Sequence, residues 1–261
     1  MAFTVHAVMP GVWHIVDCMG VCMTLLEGEN AAMLVDTGYG IEDVADFMRH
    51  MTDLPLTVFL THNHHDHAMG ARCFPETYML EADMADWRMF TDDKMRRRVL
   101  TQAIGKNLPV DEKTFLAGEI PLPKVMKPGV IDLGGLTAEI IEAPGHTPGS
   151  AVVYVPERKL LLSGDDWNPC TWLFFPQALG LREYRSNMRG IQQLPFEKVL
   201  CPHREAFYDR WMFDDFFNAL TDGNLRAAEP VNIAPYEQID TCQATLPHDQ
   251  VFVFDWAKSG L

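Results

Sequence analysis

Short apolar runs bounded by Gly, Asn or acidic residues open the chain at 12–16, 21–26 and 31–35, and this pattern predicts a meander of strands. The period then changes. After the turn residues Asp36-Thr37-Gly38, the stretch 41–51 places Val44, Phe47 and Met48 at helical intervals, which predicts an amphipathic helix. Residues 56–60 read as a buried strand that delivers the chain to His62, and 82–107 has helical composition. β character returns at 130–133 and 136–141, split by Gly134-Gly135, and 151–155 with 159–162 predict a hairpin around Pro156-Glu157-Arg158. The rest predicts a helix at 183–194, a short strand at 199–200, helix at 207–228 and a strand at 251–254 that closes a sheet edge. β-rich runs in two halves with helices between them predict an α+β architecture, two packed sheets flanked by helices. No Gly/Ser-rich or Pro-rich tract interrupts the alternation, so a single domain is expected over 1–261.

Composition narrows the function. With 261 residues, 48% of them hydrophobic, the chain can bury a large core. Its 21 basic and 36 acidic residues give 21 − 36 = −15, a field that repels polyanions, so nucleic acid is not an expected partner. The one basic run, Lys94, Arg96, Arg97 and Arg98, is read as a solvated helix face rather than an anion site. The first residues lack a basic stretch followed by an apolar one, and no segment reaches the roughly 20 apolar residues of a membrane span. Six scattered cysteines fit reduced thiols, and Cys18 with Cys22 has no second thiol pair to complete a metal site. A cytoplasmic protein with no membrane partner is expected; a homo-oligomer is compatible with these features.

The chemistry concentrates in histidines. Of ten, His62, His64, His65 and His67 fall within six consecutive positions at the end of a predicted strand. Positions two apart in extended chain face the same way, so His62 and His64 can bind one metal while Asp66 and His67, past the bend, turn toward a neighbouring site. His65 is in the opposite register and is not expected to ligate. Further donors follow other strands: Gly145-His146-Thr147-Pro148-Gly149, Gly164-Asp165 and Pro202-His203. Loops at one rim of a sheet scaffold are where such a site assembles.

The run Thr61-His62-Asn63-His64-His65-Asp66-His67, with Gly70 after it, resembles the H-x-H-x-D-H signature of metallo-β-lactamase-fold hydrolases, and 145–150 (GHTPGS) resembles that family's next ligand motif. The resemblance runs in order over about 12–210. It implies an αββα sandwich, with His62, His64 and His146 on a first metal, Asp66, His67 and His203 on a second, and Asp165 bridging. It also implies that Asp36 braces the ligand loop. Two divalent cations, zinc expected and iron or manganese compatible with the same donors, would share a hydroxide and polarise a carbonyl or phosphoryl oxygen. Asp66 would also carry the proton to the leaving group. Asp166 is read as a neighbouring loop acid.

The resemblance implies a hydrolase that cleaves an uncharged or modestly charged ester, thioester or lactone of a small molecule. The alternative is a mononuclear iron oxidoreductase similar to the persulfide dioxygenases. The aromatic segment 167–175 is expected to overhang the metals, or else to pack into the core or a dimer contact, with Trp167 and Trp172 as pocket residues. Tyr184 and Tyr208 are further pocket residues, placed to stabilise an oxyanion. Cys170 is read as a packing thiol.

Overall fold

The computed structural model describes residues 3–261. Its first sheet takes its strands in chain order: β1 (Thr4–Met9), β2 (Val12–Val16), β3 (Cys22–Glu27), β4 (Ala32–Val35), β5 (Leu56–Phe59), β6 (Tyr78–Met79) and β7 (Lys124–Val125). Pairing is antiparallel up to β4 and parallel from β4 onward. The change is imposed by α1 (Val44–Met51), which carries the chain back across the sheet before β5. The predicted meander is therefore β2 to β4. β1, largely exposed, lacks the apolar run that marks the others.

The second sheet contains β8 (Gly129–Asp132), β9 (Thr137–Glu142), β10 (Ala151–Val155) and β11 (Leu160–Leu162). The chain then leaves through β12 (Cys170–Leu173) and returns as β13 (Lys198–Leu200) and β14 (Tyr208–Asp209), giving the order β14-β13-β11-β10-β9-β8. A smaller third sheet, beyond the two predicted, runs β12-β17-β16-β15 and adds β15 (Glu229–Pro230), β16 (Thr241–Leu246) and β17 (Gln250–Asp255). The strand expected at a sheet edge near 251–254 thus lies between two neighbours, which is why Phe252, Val253 and Phe254 are all buried.

Alternation along the strands builds the layers. Met33, Val35, Ala138, Ile140, Val153, Val155, Leu160 and Leu162 point between the two large sheets and pack there. Their neighbours point outward: Leu25, Ala32 and Leu34 meet Val44, Ala45 and Met48 of α1. On the far side Val152, Tyr154, Leu161 and Val199 meet the helices Leu181–Ile191 and Arg210–Ala219. The result is an αββα sandwich.

The remaining helices are α2 (His65–Ala68), α3 (Trp87–Thr91), α4 (Asp93–Gly105), α5 (Glu112–Phe115), α6 (Leu181–Ile191), α7 (Arg210–Ala219) and α8 (Asp222–Arg226). The helical stretch expected over 82–107 breaks at Asp92, whose carboxylate accepts from Met95 N at 2.7 Å and starts α4 anew. Thr221 caps α8 in the same way and divides the stretch expected over 207–228. Among the described residues no helix is long and apolar enough to cross a membrane.

Candidate metal centre

Each chemically equipped loop leaves the end of a strand. β4 runs into Asp36, β5 into 61–64, β9 into 143–150, β11 into Asp165 and β13 into His203. The short helix α2 begins at His65, so the chain bends there and swings Asp66 and His67 away from the direction of His62 and His64. Gly70 ends the segment against the Thr37 carbonyl; a Cβ at that position would lie 2.1 Å from the oxygen.

The donor atoms converge in two groups, each with all its atoms within 4.8 Å of one another: His62, His64, His146 and Asp165, and Asp66, His67, Asp165 and His203. Asp165 belongs to both. Its carboxylate lies 3.5 Å from His146 Nε2, 3.4 Å from His67 Nε2 and 3.0 Å from His203 Nε2.

Hydrogen bonds on the opposite ring nitrogens decide which nitrogen is left for a cation. His146 Nδ1 donates to the Trp172 carbonyl at 2.7 Å, and His67 Nδ1 donates to Asp36 Oδ2 at 2.9 Å. Both rings thereby turn Nε2 inward. His62 pairs Nδ1 with the Thr61 hydroxyl at 3.1 Å. The Nε2 atoms of His62 and His67 are buried without a hydrogen-bond partner, an arrangement that is costly in a protein interior and that a cation would relieve. His64 is reversed: Nδ1 faces His146 Nε2 at 2.9 Å, and Nε2 meets the Gln177 amide.

The electrostatics distinguish the two groups. Burial holds His62, His64 and His146 below the usual imidazole range, so these rings are neutral and offer lone pairs. For His67 and His203 burial also opposes the charged form, but the carboxylates of Asp165 and Asp66 outweigh it and raise both rings. Without a cation, protons occupy that side, and binding there must displace them. Asp165 shows the reciprocal effect: burial raises it, and His203 and His67 pull it well below the carboxylate range.

Asp36 organises the loop. It accepts from Thr61 N at 2.7 Å, from the Thr61 hydroxyl and from His67, and it adopts φ +65° to do so. Two organising residues had no motif to reveal them. Asp83, buried, accepts from Asn63 N at 3.1 Å, the Thr147 hydroxyl at 2.7 Å and Gly149 N at 2.6 Å, tying the 61–67 loop to the 145–150 loop. Gln177 lies after β12, far from every histidine in sequence. Asp166 is buried beside these loops and accepts from His146 N at 3.1 Å.

A cavity of about 450 Å³ opens above the donor groups. Its walls include Tyr39, Phe90, Arg98, Trp172, Phe175, Arg204 and Tyr236. Trp172 lines it, and Cys170, read as a packing thiol, is also on the wall. The other pocket residues expected from sequence need correction. Trp167 is fully buried against Tyr208 and Phe213, because the register of β12 turns Trp172 toward the cavity while Trp167 precedes the strand in the core. Tyr184 is fully buried on α6 and donates its hydroxyl to the Asp166 carbonyl at 2.5 Å, so it cannot serve an oxyanion. Tyr208 packs half-buried at the same cluster. The basic run also differs from expectation: Arg96 is buried, Arg97 pairs with Asp93, and Arg98 reaches the cavity. His65 stacks edge-on against Tyr39 at 5.5 Å and belongs to neither donor group.

Fold and site together define a metal-dependent hydrolase built on an αββα sandwich. The chain belongs to the metallo-β-lactamase superfamily, whose family model matches residues 16–203. Acyl-coenzyme A thioesterase MBLAC2 of Gallus gallus is 26% identical to it over 206 residues, 70% of this chain and 72% of that protein. The Bos taurus protein of the same name is 24% identical over the same shares of the two chains. A solved metallo-beta-lactamase from Pontibacter korlensis shares the fold, with a TM-score of 0.60 at 17% identity over 84% of this chain and 99% of that one.

Proposed function

We propose that this enzyme is a dinuclear metal-dependent hydrolase of a small-molecule thioester, with esters and lactones as chemically related substrates. The observation that carries the reading is Asp165, which stands in both donor groups and can join two cations into one centre. His62, His64 and His146 would hold the first cation and Asp66, His67 and His203 the second. A pair of divalent cations, zinc first, supplies a water of lowered pKa and polarises the scissile carbonyl.

The chain's own residues do the rest. Asp36 and the Trp172 carbonyl hold two imidazoles in fixed tautomers. Asp66, although burial raises it, is pulled down to about 2 by His67, His65 and His203. Those charges belong to the cation-free site; the cations that displace the protons would likewise keep the carboxylate ionised, and Asp66 can take the proton of the attacking water. It gives that proton up readily to a thiolate, whose ordinary pKa is about 8.5. The aromatic wall excludes water from the reacting bond. The thioester preference is supported by the activity named for the two thioesterases to which the chain is similar. Six free cysteines suit a reducing compartment, and cytoplasmic residence is part of the proposal.

Metal content and anaerobic turnover test it together. Protein reconstituted with zinc, manganese or iron should hold about two ions per chain and cleave acyl thioesters without oxygen. One ion per chain, with activity confined to the iron form and accompanied by oxygen consumption, would replace the hydrolase by the dioxygenase alternative.

A further inference from the structure

The cavity is divided in character between an aromatic wall and two guanidiniums. Over the His64 and His146 side the contacts are aromatic: Phe90 lies 4.5 Å from the His64 ring, and Phe175 lies 4.7 Å from His64 and 5.2 Å from His146. Tyr236 extends this wall, 5.4 Å from Phe175. Elsewhere on the cavity wall stand two guanidiniums. Arg204 follows His203 directly and donates to its carbonyl at 2.8 Å, which fixes the stem at the rim. Arg98 projects from α4 on the same face as Gln102, four residues on, and both line the cavity. It lies beside the Tyr236 phenol and close enough to His65 and Tyr39 to act on their charge.

Among the arginines without an ion pair in the described residues, these two line the cavity. The chain has 36 acidic residues against 21 basic ones, yet neither Arg98 nor Arg204 forms an ion pair among the described residues. Arg96 and Arg97, the neighbours of Arg98 on α4, both approach Asp93. Two unpaired forks converging on one cavity are suited to a carboxylate or phosphate, which guanidinium groups grip bidentately.

We infer, building on the hydrolase reading above, that the substrate is an amphipathic anionic thioester: its carboxylate or phosphate lies between Arg98 and Arg204, and its apolar chain lies against Phe90 and Phe175. The reacting bond then lies over the donor groups between these two ends, and the arginines set both affinity and direction of binding.

Non-hydrolysable hexyl thioethers separate this inference from the hydrolase reading, since their binding requires no turnover. Three probes are titrated into metal-loaded protein: the thioethers of phosphopantetheine (phosphate), 3-mercaptopropionate (carboxylate) and N-acetylcysteamine (neutral). At least one charged probe should bind about tenfold more tightly than the neutral one, and the better of the two identifies the anion. Arg98→Met and Arg204→Met, both at exposed positions, should each cut that ratio several-fold. Phe175→Ala should weaken all three probes alike. Equal affinity for the three probes, or a ratio unchanged in both arginine variants, overturns the inference even if thioesters are hydrolysed. Conversely, the arginine-dependent ratio can hold in a protein that hydrolyses none of them, which would leave the anion site standing and remove the hydrolase reading.

Discussion

The side-chain amide of Gln177 lies 2.7 Å from Nε2 of His64. With His64 Nδ1 turned to the first donor group, Nε2 carries the ring proton and needs an acceptor. A half-turn of the amide presents Oε1, which is otherwise buried without a partner. Gln177→Met, which fills the space but accepts nothing, should therefore weaken metal binding about 10-fold or more, as loss of an imidazole's outer partner does. Gln177→Glu should restore most of it. Chelator competition measures both; equal loss in the two variants would show that packing, not the acceptor, matters.

Asp36→Asn should keep the fold and weaken the site by about 10- to 100-fold in metal affinity or activity. Asn tolerates the left-handed backbone that Asp36 adopts at φ +65°. Its single oxygen, however, cannot serve both Thr61 and the His67 ring. Circular dichroism should be unchanged while affinity falls. Unchanged affinity would remove the bracing role.

Asp165→Ala should lower metal content and turnover together, because the same carboxylate faces both groups. His65→Ala, outside both, should leave metal content near that of the unaltered protein. Elemental analysis of the two variants decides, and equal loss from both would refute the division.

Asp83 supplies a pH signature. Burial, partly offset by its three donors, raises its carboxyl from 3.8 to about 6. The folded state therefore keeps the proton at pH values where the unfolded chain has released it. This favours folding below about pH 4, and the advantage is lost as pH rises through about 6. A shift of roughly two units corresponds to about 3 kcal/mol. The stability of the metal-free protein relative to Asp83→Asn should fall by that order between about pH 4 and pH 7. A difference flat with pH would mean that Asp83 is ionised at no such cost.

What the sequence revealed depended on contiguity. His62, His64, Asp66 and His67 share one loop, and His146, Asp165 and His203 each follow a recognisable apolar run, so the candidate donors were visible as strand exits. The layering was legible because β-rich runs fall in two halves with helical stretches between them, although the uniformly apolar run 151–155 does not show which of its residues face which layer. Asp83 and Gln177 were not legible, because each is an isolated polar residue whose importance comes from loops brought together only by the fold. Trp167 and Tyr184 were misread because aromatic content alone does not say which side of a strand or helix a ring occupies. β16 escaped notice because Thr241, Gln243 and Thr245 dilute its apolar run. Arg98 was assigned to solvent because helical register could not show that α4 borders a cavity.

The donor groups draw on both large sheets: His62, His64, Asp66 and His67 extend from one, and His146, Asp165 and His203 from the other. A cation captured between them is a rivet through the seam, and its binding adds RT ln(1 + [M]/Kd) to the work of parting the layers. Metal supply then governs more than the rate of chemistry. Without a cation the seam would open more often and expose the strand edges behind it to proteolysis.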